Sequence, residues 1–234
     1  MPLPFRLRQA ITGLGLRAAL PMLVKRQALP ALLASLDRPR QPGAPGGDET
    51  RRLAERLFRP LRLWPTTCLY RALGSYALLR AAGQEVRFVI GVARDGEELK
   101  AHAWLERDGR AIVSTPGPGP DYTVAYAWPV DPGRPPRDEG ARPGAGITPS
   151  PDVHLTRLPD GSGVLLHLGT GHYFTLNASG VRAWTFLDAG LADADALTAA
   201  LAADYPGIEA GRIRADVLSL LSEFEREALI FKGK

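Results

Sequence analysis

Two stretches too rich in proline and glycine to enter a packed element divide this chain, so its fold must be assembled from the segments between them. Residues 38–48 (RPRQPGAPGGD) read as a loop, and fifteen of the 35 residues from 116 to 150 are Pro or Gly. An apolar island at 122–130 inside the second stretch is expected to pack back on the domain before it, which leaves 131–150 as the linker. The expected organisation is a basic helical N-terminal region with its linker at 1–48, a first domain at 49–130, the linker at 131–150 and a second domain at 151–234.

Charge follows a similar division. Residues 1–150 carry 22 Lys and Arg against 14 Asp and Glu, whereas 151–234 carry 7 against 11. Opposite signs suggest two modules and name no partner on their own. A single cysteine, Cys68, excludes an intramolecular disulfide and a multi-cysteine zinc site, and makes the reducing cytoplasm the expected compartment. The apolar segment at 10–36 is interrupted by Arg17, Lys25 and Arg26, which argues against a transmembrane span. It reads as two amphipathic helices broken at Pro21 and Pro30. Because no acidic residue precedes Asp37, the segment would also suit a transit peptide or a weak contact with a membrane surface.

Periodicity assigns the elements. A short charged helix is expected at 49–57 and a stronger one at 66–82, where Leu69, Ala72, Leu73, Tyr76 and Leu79 recur at helical spacing between Pro65-Thr66-Thr67 and Gly83. Strands at 86–93, 98–106 and 110–114 follow, joined by tight turns at Asp95-Gly96 and Asp108-Gly109. The second domain reads as three short strands, at 153–157, 164–168 and 172–176. Three helices come next, marked by Val181, Trp184 and Leu187, by Leu197, Leu201 and Tyr205, and by a stripe from Ile213 to Ala228. The fold class is α+β: helices plus an antiparallel sheet, then a small winged-helix-like domain of three strands and three helices.

The chemistry concentrates at one cysteine and one histidine. Cys68 opens a helix, where unpaired backbone N–H groups and the positive dipole end favour an anion, as an attacking thiolate requires. His102 sits mid-strand in Ala101-His102-Ala103-Trp104-Leu105-Glu106, where a polar residue is costly unless it is paired or used. The plain alternatives are a small buried thiol and a satisfied core histidine. A helix bearing cysteine followed by a strand bearing histidine is the papain and transglutaminase arrangement, in which imidazole takes the thiol proton and later protonates the leaving amine.

Taken together, Trp64-Pro65-Thr66-Thr67-Cys68-Leu69-Tyr70-Arg71-Ala72-Leu73, Val89-Ile90-Gly91-Val92 and Ala101-His102-Ala103-Trp104-Leu105-Glu106 resemble the transglutaminase-like leader peptidases that process lasso-peptide precursors. The resemblance covers roughly residues 54–128. It implies a cysteine peptidase that frees the core of a ribosomally made precursor for closure into a macrolactam by a separate asparagine-synthetase-like cyclase. Cys68 maps to the nucleophile and His102 to its base. Family members commonly present an aspartate just after the strand that follows the histidine, but here that strand ends Ile112-Val113-Ser114-Thr115. Asp121 is the nearest carboxylate beyond it and is assigned as the third catalytic member, with Ser114 or Thr115 as weaker substitutes. Glu106 shares the His102 face but lies about 13 Å along the strand, too far to orient the ring itself. Trp104, on that same face, could shield the pair or belong to the core, and Arg71, one turn after Cys68, reads as a snorkelling side chain.

Two functions compete for the second domain. Duplex DNA needs several cations to meet its phosphates, yet this domain is net acidic and its last helix carries Glu223, Glu225 and Glu227, so nucleic acid is not expected. Capture of an extended peptide on a sheet edge fits better. Gly171-His172-Tyr173-Phe174-Thr175-Leu176-Asn177-Ala178-Ser179-Gly180, with Trp184 soon after, resembles the PqqD-like elements that recognise leader peptides. The resemblance implies a leader lying antiparallel beside 172–177, with Tyr173, Phe174, Thr175, Val217, Leu221 and Phe224 as its contacts. His154, His167 and His172 lack ligand spacing, so no metal is expected, and no cofactor. A transglutaminase-like acyltransferase and a catalytically weak leader-binding scaffold remain the alternatives.

Overall fold

The computed structural model describes residues 5–38, 47–59, 67–96, 98–113, 122–129 and 146–233. Its contacts divide the chain into two compact units, with the main boundary between residues 134 and 135. Each is α+β.

The first unit holds helices α1 (Phe5–Arg26), α2 (Leu29–Leu36), α3 (Gly47–Leu57) and α4 (Cys68–Ala81) and strands β1 (Arg87–Asp95), β2 (Glu98–Arg107), β3 (Arg110–Val113) and β4 (Thr123–Trp128). Helix α4 is the hub, because α1, α2 and α3 all pack against it, as do β1 and β2. Its start is capped by Thr67, whose side chain accepts the Tyr70 N–H. At its end Gly83 takes φ +74° while the N–H groups of Gly83 and Gln84 return to the carbonyls of Arg80 and Leu79, a left-handed stop that glycine adopts without steric cost.

The basic N-terminal helices belong to this packing, although composition placed a boundary after residue 48. Leu20, Leu29, Leu32, Leu33 and Leu36 are buried. Gln9 Nε2 donates to the Leu78 carbonyl, and the Arg17 guanidinium donates to the carbonyls of Leu57 and Arg59. Pro21 does not break the segment either, since α1 runs through it to Arg26. A proline removes one helical hydrogen bond, and burial of neighbours such as Leu20 outweighs that loss. Pro30, by contrast, stands in the first turn of α2, where a missing N–H costs nothing.

The sheet has the order β3-β2-β1-β4 and is antiparallel throughout. Asp108 (φ 51°) and Gly109 (φ 71°) form the two-residue β2–β3 turn, the left-handed pair that suits a twisted hairpin. The apolar island inside the second Pro/Gly stretch packs back as expected. It forms β4, a full strand on the open side of β1.

The second unit contains β6 (Val153–Arg157), β7 (Gly163–His167) and β8 (Tyr173–Leu176) in an antiparallel sheet of that order, followed by α5 (Ala178–Asp188), α6 (Ala194–Asp204) and α7 (Ala210–Arg226). A two-stranded sheet joins β5 (Ile147–Pro149) to β9 (Ile230–Lys232). The end of the stretch read as linker is therefore structured: Ile147 is buried in the core of this unit, and burial with ladder bonds outweighs the local Pro/Gly composition. Trp184 is fully buried at the centre, edge-on to Phe224 with ring centroids 5.4 Å apart.

Candidate active site and peptide-binding edge

Two side chains predicted from sequence to act together come from elements that pack on one another. Cys68 is the first residue of α4, half-buried and in no disulfide. The N-cap hydroxyl of Thr67 satisfies one donor of the first turn, and the remaining N–H groups there suit an anion beside the thiol. Helix α4 packs across β2, the strand that carries His102. His102 stands opposite Gly91 of β1.

Around the imidazole lies an aromatic box. The Trp104 indole is near-parallel to the His102 ring, at 17° with centroids 6.0 Å apart. Tyr122 approaches His102 at 5.9 Å and meets Trp104 at 6.1 Å in an edge-on arrangement. Trp104 is buried, and its Nε1 donates to Glu106 Oε1 at 2.7 Å. Gly91 makes room for this packing, because a Cβ there would come within 2.5 Å of the indole and 3.2 Å of the Tyr122 Cβ.

Trp104 is thus both a core residue and a neighbour of His102, so the two positions that sequence held apart are compatible. Tyr122 had been read only as part of an apolar island. Its part in the box follows from the β1–β4 pairing, which joins residues more than 30 positions apart and so has no local signal. Asp121, Ser114 and Thr115 lie outside the described residues, and so do Trp64, Pro65 and Thr66. Deeper along α4, fully buried Tyr76 has its hydroxyl pushed up to about 12 by burial first and by the nearby Asp37 carboxylate second.

The second unit divides its predicted contacts into two groups. Among the described residues, strand β8 forms an edge of its sheet. His167 N–H bonds to the His172 carbonyl, which aligns the N–H and C=O groups of residues 172, 174 and 176 with β7 and leaves those of Tyr173 and Thr175 facing the open side. The Tyr173 and Thr175 side chains are exposed, whereas Phe174 packs on the core. Val217, Leu221 and Phe224 are buried, because they supply the apolar stripe that docks α7, and Val217 also lines the wall of an open groove. The open apolar surface lies nearby in a groove of about 490 Å³ between α5, α6 and α7, lined by Asn177, Leu201, Tyr205, Ile208, Ile213 and Leu220 among others. The α7 stripe predicted this core and could not distinguish its inner from its outer rim. Among the described residues, no group of three His, Cys, Asp or Glu side chains converges as a metal site would, and no helix is long and apolar enough to cross a membrane.

Comparison with known proteins follows the division into units. No curated protein matches the chain. The solved structure "TbiB1 in Complex with the TbiA(beta) Leader Peptide" is similar over 37% of this chain and 98% of that one, at 29% identity and a TM-score of 0.34. Residues 162–230 match the family model of coenzyme PQQ synthesis protein D (PqqD). Residues 10–127, half of the chain, match a model that spans the capped cysteine helix, the histidine strand and the N-terminal helices packed beneath them, and by that match the chain belongs to the transglutaminase-like superfamily.

Proposed function

We propose that this protein is a cysteine peptidase that removes the leader from a ribosomally synthesised lasso-type precursor, with its second unit holding the leader. The observation that carries the reading is the pairing of elements: a cysteine at the capped start of α4, packed across the strand whose histidine is boxed by Trp104 and Tyr122. In the proposed reaction His102 takes the Cys68 proton and the thiolate sulfur attacks the scissile carbonyl carbon. The tetrahedral intermediate collapses as the C–N bond breaks, and the leaving amine takes the proton from the imidazolium. Water then attacks the thioester carbonyl while His102 accepts its proton, the C–S bond breaks as the imidazolium returns that proton to sulfur, and the acid product departs with the thiol restored. Asp121 is the proposed orienter of the imidazole.

The freed amine is the group a separate macrolactam cyclase would use. Leader binding along β8 is supported by the PqqD match and by the outward backbone groups of Tyr173 and Thr175, which can extend the sheet by one strand. A cytoplasmic site of action and a weak contact of the N-terminal region with an anionic membrane surface complete the reading. The exposed apolar residues Leu7, Ile11, Leu14 and Met22 on α1, followed by Lys25 and Arg26, support that contact.

The test takes the short precursor gene expected beside this one and its synthetic peptide. Cys68→Ala should abolish cleavage while leader binding persists, since nucleophile and holder lie in different units. Iodoacetamide should inactivate the wild type. Cleavage retained by protease-free Cys68→Ala protein would sink the assignment. A labelled primary amine captured in place of water would favour acyl transfer, and binding without either product would favour a scaffold.

A further inference from the structure

The ring nearest in orientation to His102 is itself tied down by a carboxylate. We propose that Glu106 is a positioning residue for His102 that acts through the Trp104 indole, an inference resting on the reading of His102 as the base. His102, Trp104 and Glu106 alternate along one face of β2. Glu106 lies about 13 Å along the strand from His102 by backbone rise, so its influence has to be relayed. The relay is on the page: Trp104 Nε1 donates to Glu106 Oε1 at 2.7 Å, and the same indole lies within 17° of parallel to the imidazole.

The last torsion of an indole is an sp³–sp² bond with a broad intrinsic range, which packing narrows without selecting a single value. The indole N–H is a donor only, so its one hydrogen bond selects one ring orientation among those the packing admits. Gly91 leaves space for that orientation, and Tyr122 closes the edge of the box. With the indole fixed, the imidazole plane that stacks on it is fixed as well. Small misplacements of a catalytic base are costly, which gives a carboxylate that touches no reacting atom a measurable effect.

Cys68 is the chain's only cysteine, so iodoacetamide uptake followed by intact mass reports this thiol alone. The probe is applied to the full chain at about pH 6, where an ordinary thiol, ionising near 8.5, reacts slowly and pairing with imidazole accelerates it. Glu106→Ala and Trp104→Phe should react at least about fivefold more slowly than wild type, and the double variant no more slowly than the slower single, as expected for groups acting in series. Glu106→Gln, whose amide oxygen still accepts the indole N–H, should return to within about twofold of wild type. Because Glu106 is only half-buried, the contrast between its Ala and Gln variants decides the question even where Trp104→Phe perturbs folding. Glu106→Ala reacting at the wild-type rate while His102→Ala is slowed would overturn the inference, as would a Gln variant as slow as Ala. His102→Ala reacting like wild type would instead overturn the Cys68–His102 pairing on which the inference stands.

Discussion

The face of β2 and the edge of β8 are both short stretches of antiparallel strand, and they do opposite things with the same geometry. Along β2 the backbone pairs with β1 over residues 98–106 and with β3 only at 105–107, and the proposed functional groups are side chains held by neighbours: His102 against Trp104, Trp104 against Glu106. On β8 the proposed recognition rests on the backbone, whose Tyr173 and Thr175 groups face away from β7 and meet no strand among the described residues. A site built from locked side chains should fail sharply on substitution. A site built from unpaired backbone groups should tolerate side-chain changes and fail when an N–H is removed.

The sharpest test of that contrast is His102→Ala, expected to lower cleavage by about a thousandfold, in the range of a lost general base. Asp121→Asn should cost less, about tenfold, because a thiol depends less on a third member than a hydroxyl does. Equal losses from the two variants, measured as kcat/KM on the precursor, would make Asp121 a full partner. On β8, Thr175→Pro removes an outward-facing N–H and leaves the bonds to β7 intact, so leader affinity by fluorescence anisotropy should fall about tenfold, the worth of roughly one hydrogen bond. Thr175→Val should leave it nearly unchanged. If the valine variant binds as poorly as the proline one, side chains carry recognition and the contrast between the two regions collapses.

Away from both sites, Tyr76 gives the first unit an alkaline weakness of its own. Its phenol stays neutral to about pH 12 in the fold and ionises near 10 when unfolded. Between those values only the unfolded chain has released the proton, so stability falls as pH rises through the window, by about 2 to 3 kcal/mol in all. Tyr76→Phe should flatten that part of the urea-midpoint profile from pH 10 to 12. The smallest effect is expected in the second unit. Ala228 ends α7 at φ 55°, with the Leu229 N–H returning to the Phe224 carbonyl. Ala228→Gly should raise stability by about 0.5 to 1 kcal/mol, visible as a higher thermal midpoint.

How much of this was legible depended on whether a residue's partner lay nearby in sequence. Cys68 at a helix start, the Asp108-Gly109 turn and the three strands and three helices of the second unit are local patterns, and they stand close to where periodicity placed them. The β1–β2 hairpin was read through a turn at Asp95-Gly96, yet Asp95 pairs with Glu98, so the register is offset from a turn centred on that dipeptide. That pairing is what sets Gly91 opposite His102. Strands β4, β5 and β9 went unread as strands because each is short and its partner is remote: β5 meets β9 more than 80 residues later. Pro21 misled for the opposite reason, as a strong local breaker overridden by burial that only the tertiary fold supplies. The α7 stripe announced an apolar face without separating core from groove: Val217, Leu221 and Phe224 pack in the core, and Val217 also lines the open groove.

Gly91 carries no functional group, yet in a saturation scan of this chain it should behave like part of the machinery. Every other amino acid adds a Cβ that the indole already occupies. Substitutions there would score as intolerant without any change in the chemistry of the reacting groups, and the damage would be relieved only by second-site changes that shrink Trp104. Such a position ties the permitted variation of two strands together: the room left by a missing side chain on β1 determines which ring β2 can keep beside its histidine.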